Sequence, residues 1–244
     1  EPEEPSSCFY IDGVTEIHVN ANDPEPHPSN NVMCEWSYTW NGESFGPFEE
    51  EGLPFVISGW NESRHDLTII CRDALGNEVR DIETFFVDKT PPVTEKYFEG
   101  SQFTCYDWCY ETCYSYGNDN PGQECVSSCL QNNCEYVGNQ EEYQHEGLWF
   151  PMWINSNTQV VLNAEDQEPH PSGVYATYWR NTLVADENCR NQEVCQQAVG
   201  QGEWMTYQEP FYKEEQSCHL IEYYSVDNVE KTETVKKQCV FVDK

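Results

Sequence analysis

Residues 16–29, EIHVNANDPEPHPS, return later in the chain as residues 159–172, QVVLNAEDQEPHPS. The two stretches share Asn20/Asn163, Ala21/Ala164, Asp23/Asp166, Glu25/Glu168 and the tetrapeptide Glu-Pro-His-Pro. A second echo closes each copy, as Val87-Asp88-Lys89 and Val242-Asp243-Lys244. Landmarks in the same order at this spacing describe a duplicated domain rather than a solenoid unit. Inside the copies the period is two. Ile17, Val19 and Ala21 alternate with Glu16, His18 and Asn20, and Val160, Leu162 and Ala164 repeat the pattern. Cys34, Trp36, Tyr38 and Trp40 share one face of a second strand, and Leu67, Ile69 and Cys71 one face of a third. Turn formers punctuate these runs at DPEPHPSNN (23–31), NGES (41–44), Gly76-Asn77 and Gly200-Gln201-Gly202. Short alternating strands between such turns predict a mainly β protein of two immunoglobulin-like antiparallel β-sandwiches.

The bulk numbers fit that reading. A chain of 244 residues is long enough for two domains with their own cores. Its 44 acidic against 12 basic residues, a net charge of −32, exclude a nucleic-acid partner, which needs a basic surface. They also exclude docking on anionic lipid, and no apolar run reaches the ~20 residues of a membrane span, so no direct membrane insertion is expected. Either bound cations offset the self-repulsion, or the surface is simply acidic. Thirteen cysteines point to an oxidising compartment, so the protein is expected to be secreted to the extracellular space or cell surface. The opening Glu1-Pro2-Glu3-Glu4-Pro5 has no initiator Met, basic region or apolar run. Any signal peptide is therefore expected either to have been removed or to lie outside this sequence, and residues 1–7 read as an extended leader.

The stretch GEWMTYQEPFYKEEQSCHLIEYYSVDNVEKTE (202–233) resembles the tandem Ig-like repeats of prokaryotic, notably archaeal, cell-surface proteins. The resemblance rests on Trp204 and Tyr207, on Ile221, Tyr223, Ser225 and Asp227 in alternation, and on the turn that follows. The first copy shows that turn as CRDALGNEV (71–79), then FFVDKTPPVT (85–94), which is similar to the junction between successive repeats. The resemblance implies fold and surface location, not one molecular role. Asp227-Asn228-Val229-Glu230 departs from it by lacking the glycine, so this hairpin turn is expected to be altered. Domain 1 is then 1–89 and domain 2 is 90–244, opening at the stiff Thr90-Pro91-Pro92. The first strand of domain 2 is expected at 93–99 and the next at 158–164, which leaves an insertion.

That insertion, 101–137, reads Cys-x3-Cys-x3-Cys, eleven residues, then Cys-x3-Cys-x4-Cys. Cysteines four apart share one helical face. The intervening YSYGNDNPGQE (114–124) is made of turn formers. A helical hairpin with the ladder Cys113–Cys125, Cys109–Cys129 and Cys105–Cys134 follows from that register, and it resembles the twin Cys-x3-Cys hairpins of small disulfide-bonded proteins. Zinc or an iron–sulfur cluster is the alternative, although structural zinc prefers Cys-x2-Cys knuckles. Tyr106, Trp108, Tyr110, Tyr114 and Tyr116 either present a contact surface or pack the hairpin onto its own sandwich.

Elsewhere Cys34–Cys71 is expected between neighbouring strands, Cys189–Cys195 across a short loop, and Cys218–Cys239 by symmetric pairing about the 228–229 turn. Cys8 remains, free or bonded to another chain, since thirteen is odd. No resident cofactor is expected. Calcium is the candidate ion, with Asp23, Glu25, Asp166 and Glu168 as ligands on the repeated Pro-rich loops, Glu165 beside them, and Asp73 and Asp227 as further ligands. The competing reading is that these residues cap turns. His27 and His170 read as turn or packing residues, and Asn61-Glu62-Ser63 is the one glycosylation sequon.

Neither a nucleophile motif nor a zinc-protease motif nor a phosphate loop is present, so no enzyme is expected. Two roles compete. One is structural: a subunit or segment of a surface layer, stalk or filament, partnered by copies of itself or other surface proteins. The other is an adhesin or carbohydrate-binding module, with Trp60, Trp149, Trp153 or Trp204 stacking on a glycan.

Overall fold

Ser63–Arg72 shows how the sequence builds the first sandwich. Ser63, His65, Leu67, Ile69 and Cys71 are buried while the residues between them are not, the signature of a strand with one face on a core. The computed structural model describes residues 9–25, 31–50, 52–115, 123–133, 153–189 and 192–244. Its chain divides into two compact units. The first comprises 1–92 with 166–174 and 227–231, and the second 93–165, 175–226 and 232–244.

In the first unit β1 (Tyr10–Asp12), β7 (Glu78–Asp88), β6 (Ser63–Arg72), β3 (Met33–Trp40) and β4 (Glu43–Glu50) form one sheet in that order. β2 (Ile17–Val19) and β5 (Phe55–Ile57) form the facing pair. Val19, Phe55 and Ile57 from the pair meet Leu67, Ile69, Phe85 and Val87 from the larger sheet in one core. Trp60, 3% exposed, closes that core edge-on against Phe85 and donates its Nε1–H to the Thr15 carbonyl. Burying this many aliphatic and aromatic side chains, at ~1.5–3 kcal/mol each, is what opposes the ordering entropy of such short strands.

The second unit repeats the design. Its six-stranded sheet runs β13 (Met205–Thr206), β12 (Val174–Val184), β15 (Cys218–Asp227), β16 (Lys236–Asp243), β10 (Trp153–Asn155) and β9 (Gln102–Phe103). The opposing sheet is β14 (Phe211–Tyr212), β11 (Gln159–Glu165) and β8 (Val93–Glu99). Both copies carry the same parallel closure. β1 lies on β7 with Ile11 opposite Val87, and β10 lies on β16 with Ile154 opposite Val242. The two echoed Val-Asp-Lys tripeptides are therefore equivalent strand ends.

The insert sits between β8 and β10. α1 (Cys105–Ser115) starts where Thr104 caps it, the Thr104 backbone N–H and hydroxyl both donating to Asp107 at 2.7 Å. α2 (Gln123–Asn133) returns antiparallel, and the structure joins Cys113 to Cys125 and Cys109 to Cys129. The proposed third rung, Cys105–Cys134, and the proposed unpaired Cys8 lie outside the described residues, as do His27 and Trp149.

Two expected disulfides are corrected. Symmetric pairing about 228–229 would set Cys218 opposite Cys239. The observed register instead sets Cys218 opposite Phe241 and Leu220 opposite Cys239, because the hairpin's loop side carries a shift of two residues. Both cysteines face outward, onto the turn Asp186–Cys189 and the helix α3 (Gln192–Gln197). Cys218 bonds Cys189, and Cys239 bonds Cys195, rather than Cys218–Cys239 and Cys189–Cys195 forming. These four sulfurs, with Leu220 and Phe241, make a second core on the outer face of the sheet. That explains why β15 is buried on both faces from Cys218 to Tyr223. In the first unit Cys34 and Cys71 are directly opposed in register, and the structure bonds them.

Candidate functional site

The repeated hairpin turns, Asp73–Asn77 and Asp227–Lys231, have the same backbone. The amide of the leading aspartate donates to the carbonyl four residues on, at 3.1 Å in each copy. Gly76 takes φ +86° in the first, and Glu230 takes φ +68° at the matching place in the second. Loss of the glycine was expected to alter the turn. It does not, because the hydrogen bonds hold Glu230 in the left-handed region at a cost of ~1–2 kcal/mol.

The two carboxylates nevertheless meet different fates. Asp73 Oδ1 accepts from the Leu75 and Asn77 amides, and its Oδ2 accepts from the Asn77 side chain at 2.6 Å. Those bonds, chiefly the one from the Asn77 side chain, pull the Asp73 carboxyl below its ordinary value. Asp227 Oδ1 likewise accepts from Val229 and Lys231 amides, at 2.9 and 2.8 Å. Lysine stands where Asn77 stood, and its ammonium lies 2.5 Å from Asp12 instead. Asp227 Oδ2 is buried and has no hydrogen-bond partner among the described residues, in a residue only 1% exposed. Burial pushes the Asp227 carboxyl up, with the charges of Asp88 and Asp166 adding to the rise against the two amide hydrogen bonds.

Asp88 and Asp166 complete the group, since one carboxylate oxygen from each of the three lies within 4.8 Å of the others. Asp88, at the end of β7, is fully buried and accepts from the Thr90 and Ser172 amides. Asp166 accepts from the Gln167 amide and, at 2.6 Å, from Gly173. Gly173 sits at φ +93°, where a Cβ would press on the Asn228 amide nitrogen at 3.1 Å. That nitrogen donates to the Ser172 and Gly173 carbonyls, holding the loop 166–174 against the turn. All these donors are neutral, and none of the three carboxylates forms an ion pair among the described residues. Like charges this close repel by ~3 kcal/mol a pair even at an effective dielectric of ~20.

Of the ligands expected from sequence, only Asp166 and Asp227 enter this group. Glu25 and Glu168 are exposed. Asp23 lines a separate hollow of about 180 Å³ with Asp73, whose carboxylate is already taken by its own turn. Sequence reasoning missed Asp88, although the repeated Val-Asp-Lys that contains it was the available signal. Asn61 is exposed, and His170 stacks on Phe86 at 5.8 Å as a packing residue.

Of the rings considered for a glycan, those among the described residues make contacts within the fold. Besides the buried Trp60, Trp153 stacks on Phe241 at 5.5 Å, and Trp204 lies between Tyr224 and the Arg180 guanidinium. No helix among the described residues is long and apolar enough to cross a membrane.

No family model matches the chain, and no curated protein matches it. Among solved structures, the chain is similar to the fibronectin(III)-like modules of Clostridium thermocellum CbhA, at 8% identity and a TM-score of 0.35, covering 99% of this chain and 92% of that one. It is also similar to a structure described as giving insight into host cell surface retention of a 1.5-MDa bacterial ice-binding adhesin, at 7% identity and a TM-score of 0.35, covering 98% and 67%. Likeness at that level carries nothing about this chain's role.

Proposed function

We propose that the chain is a non-catalytic extracellular structural protein, a subunit or segment of a surface layer, stalk or filament. One observation carries the reading: five disulfides among the described residues brace both sandwiches and the hairpin insert. Cross-links at this density suit a protein that holds shape outside the cell, and they would not persist in a reducing cytosol. The glycan-binding reading is weaker, because Trp60 is buried, Trp153 is stacked on Phe241, and Trp204 is set against Tyr224 and Arg180. Self-association or contact with other surface proteins is the partnership this role requires. Electron microscopy of native material, released without reductant, tests it. Ordered polymers are the expected result, whereas monomers retained on a glycan array would overturn the proposal.

A further inference from the structure

We infer that Asp88, Asp166 and Asp227 form a binding site for a hard divalent cation, calcium. The inference goes beyond the structural role and does not depend on it. Three carboxylates converge within 4.8 Å, two of them on residues almost wholly buried. Only neutral donors reach them. An acidic cluster alone would not suffice, but Asp227 Oδ2 is a buried acceptor with no hydrogen-bond partner among the described residues. Its counterpart in the first repeat shows what a satisfied version looks like, since the Asn77 side chain fills that place on Asp73. The second repeat has Lys231 there, turned to Asp12, so no donor among the described residues replaces Asn77. A cation set between the three carboxylates would satisfy the bare oxygen and neutralise the repulsion together.

The donor set selects the metal. No cysteine or histidine belongs to the group, which excludes the sites that zinc and softer metals prefer. Calcium takes six to eight oxygens, accepts carboxylates in one- or two-oxygen mode and leaves remaining positions to water. Magnesium demands near-ideal octahedral geometry and gives up its water reluctantly, which suits three crowded carboxylates poorly.

The test uses the whole chain, stripped with chelator and titrated calorimetrically with calcium chloride. One saturable site with Kd on the order of 0.1–1 mM is expected, the range of extracellular calcium modules. In 10 mM calcium chloride Tm should rise by about 5 °C or more over sodium chloride of equal ionic strength. Asp227→Asn keeps an acceptor for the Val229 and Lys231 amides but removes charge, and it should abolish both the heat and the Tm shift. Asp73→Asn should leave both intact. Absence of saturable heat in the wild type, binding retained by Asp227→Asn, or equal loss in Asp73→Asn would overturn the site. An equal Tm rise in magnesium or sodium chloride would reduce the effect to screening and overturn it too. If Asp227→Asn does not fold, Asp166→Asn is read in the same way.

Discussion

Lys96 stands on the inward face of β8, between buried Thr94 and Phe98, with its ammonium 4.0 Å from the Phe98 ring centroid and hydrogen-bonded to Gln238. Burial pushes its pKa down to about 7. A base whose folded value lies below its unfolded value near ~10.4 holds fewer protons folded than unfolded between the two, so stability climbs with pH across that window. Lys96→Met should therefore stabilise the second unit at pH 6, and its advantage over wild type should shrink toward zero by about pH 10. Urea denaturation across that range checks it, and a gap constant with pH would refute it. Gly200 faces the opposite constraint. A Cβ there would meet Glu222 Oε2 at 1.5 Å and Arg180 Nε at 2.8 Å. Glu222 is 1% exposed and is held by Arg180 at 2.6 Å and Lys237 at 3.5 Å, so it has nowhere to move. Gly200→Ala should cost roughly 3 kcal/mol in the same denaturation measurement, because the buried pair must part. At this scale the sequence was partly legible. Alternation announced Leu67 and Ile69 as core, but nothing in it announced that Asp227 would lose the partner Asp73 keeps, since that depends on where Lys231 turns.

Among the elements, the segment 186–197 shows what a disulfide does for a short piece of structure. α3 has six residues, far below the length at which a helix persists in water. It stays because Cys189 and Cys195 bond the outer face of β15 and β16, covering Leu220 and Phe241. The bond between Cys195 and Cys239 closes 44 residues, a loop whose covalent closure is worth about 4 kcal/mol on the chain-entropy account. Cys195→Ala with Cys239→Ala should lower unfolding free energy by ~2–4 kcal/mol and hasten proteolysis within 186–197, measured by denaturant titration and limited digestion. Non-reducing peptide mapping should recover the pairs Cys189–Cys218 and Cys195–Cys239. Strand pairing was readable in the sequence up to the turn, and the helical hairpin was readable from four-residue cysteine spacing. The partners of Cys218 and Cys239 were not, because a register shift of two residues converts an opposed pair into a diagonal one without changing the hydrophobic pattern.

For the molecule as a whole, duplication made the fold legible. Two copies of one loop and one strand end gave the repeat, and alternation within them gave the sandwich. Composition by itself argues against a nucleic-acid partner, since 12 basic residues against 44 acidic leave few cations to release a phosphate counterion atmosphere. What composition could not convey is how the acids are distributed, with Asp88, Glu222, Asp227 and Glu233 sealed from water among the described residues.

The cross-links have a mechanical meaning. A chain drawn out by its two ends lengthens only through residues that no sulfur bridge bypasses. The bridge Cys34–Cys71 spans 37 residues and Cys195–Cys239 spans 44. At ~3.4 Å per extended residue, the oxidised protein withholds about 130 Å and 150 Å of stretch at those two places. An optical-tweezer pull should show that slack only after a reductant is added, and a tether built from such units would stay short under load.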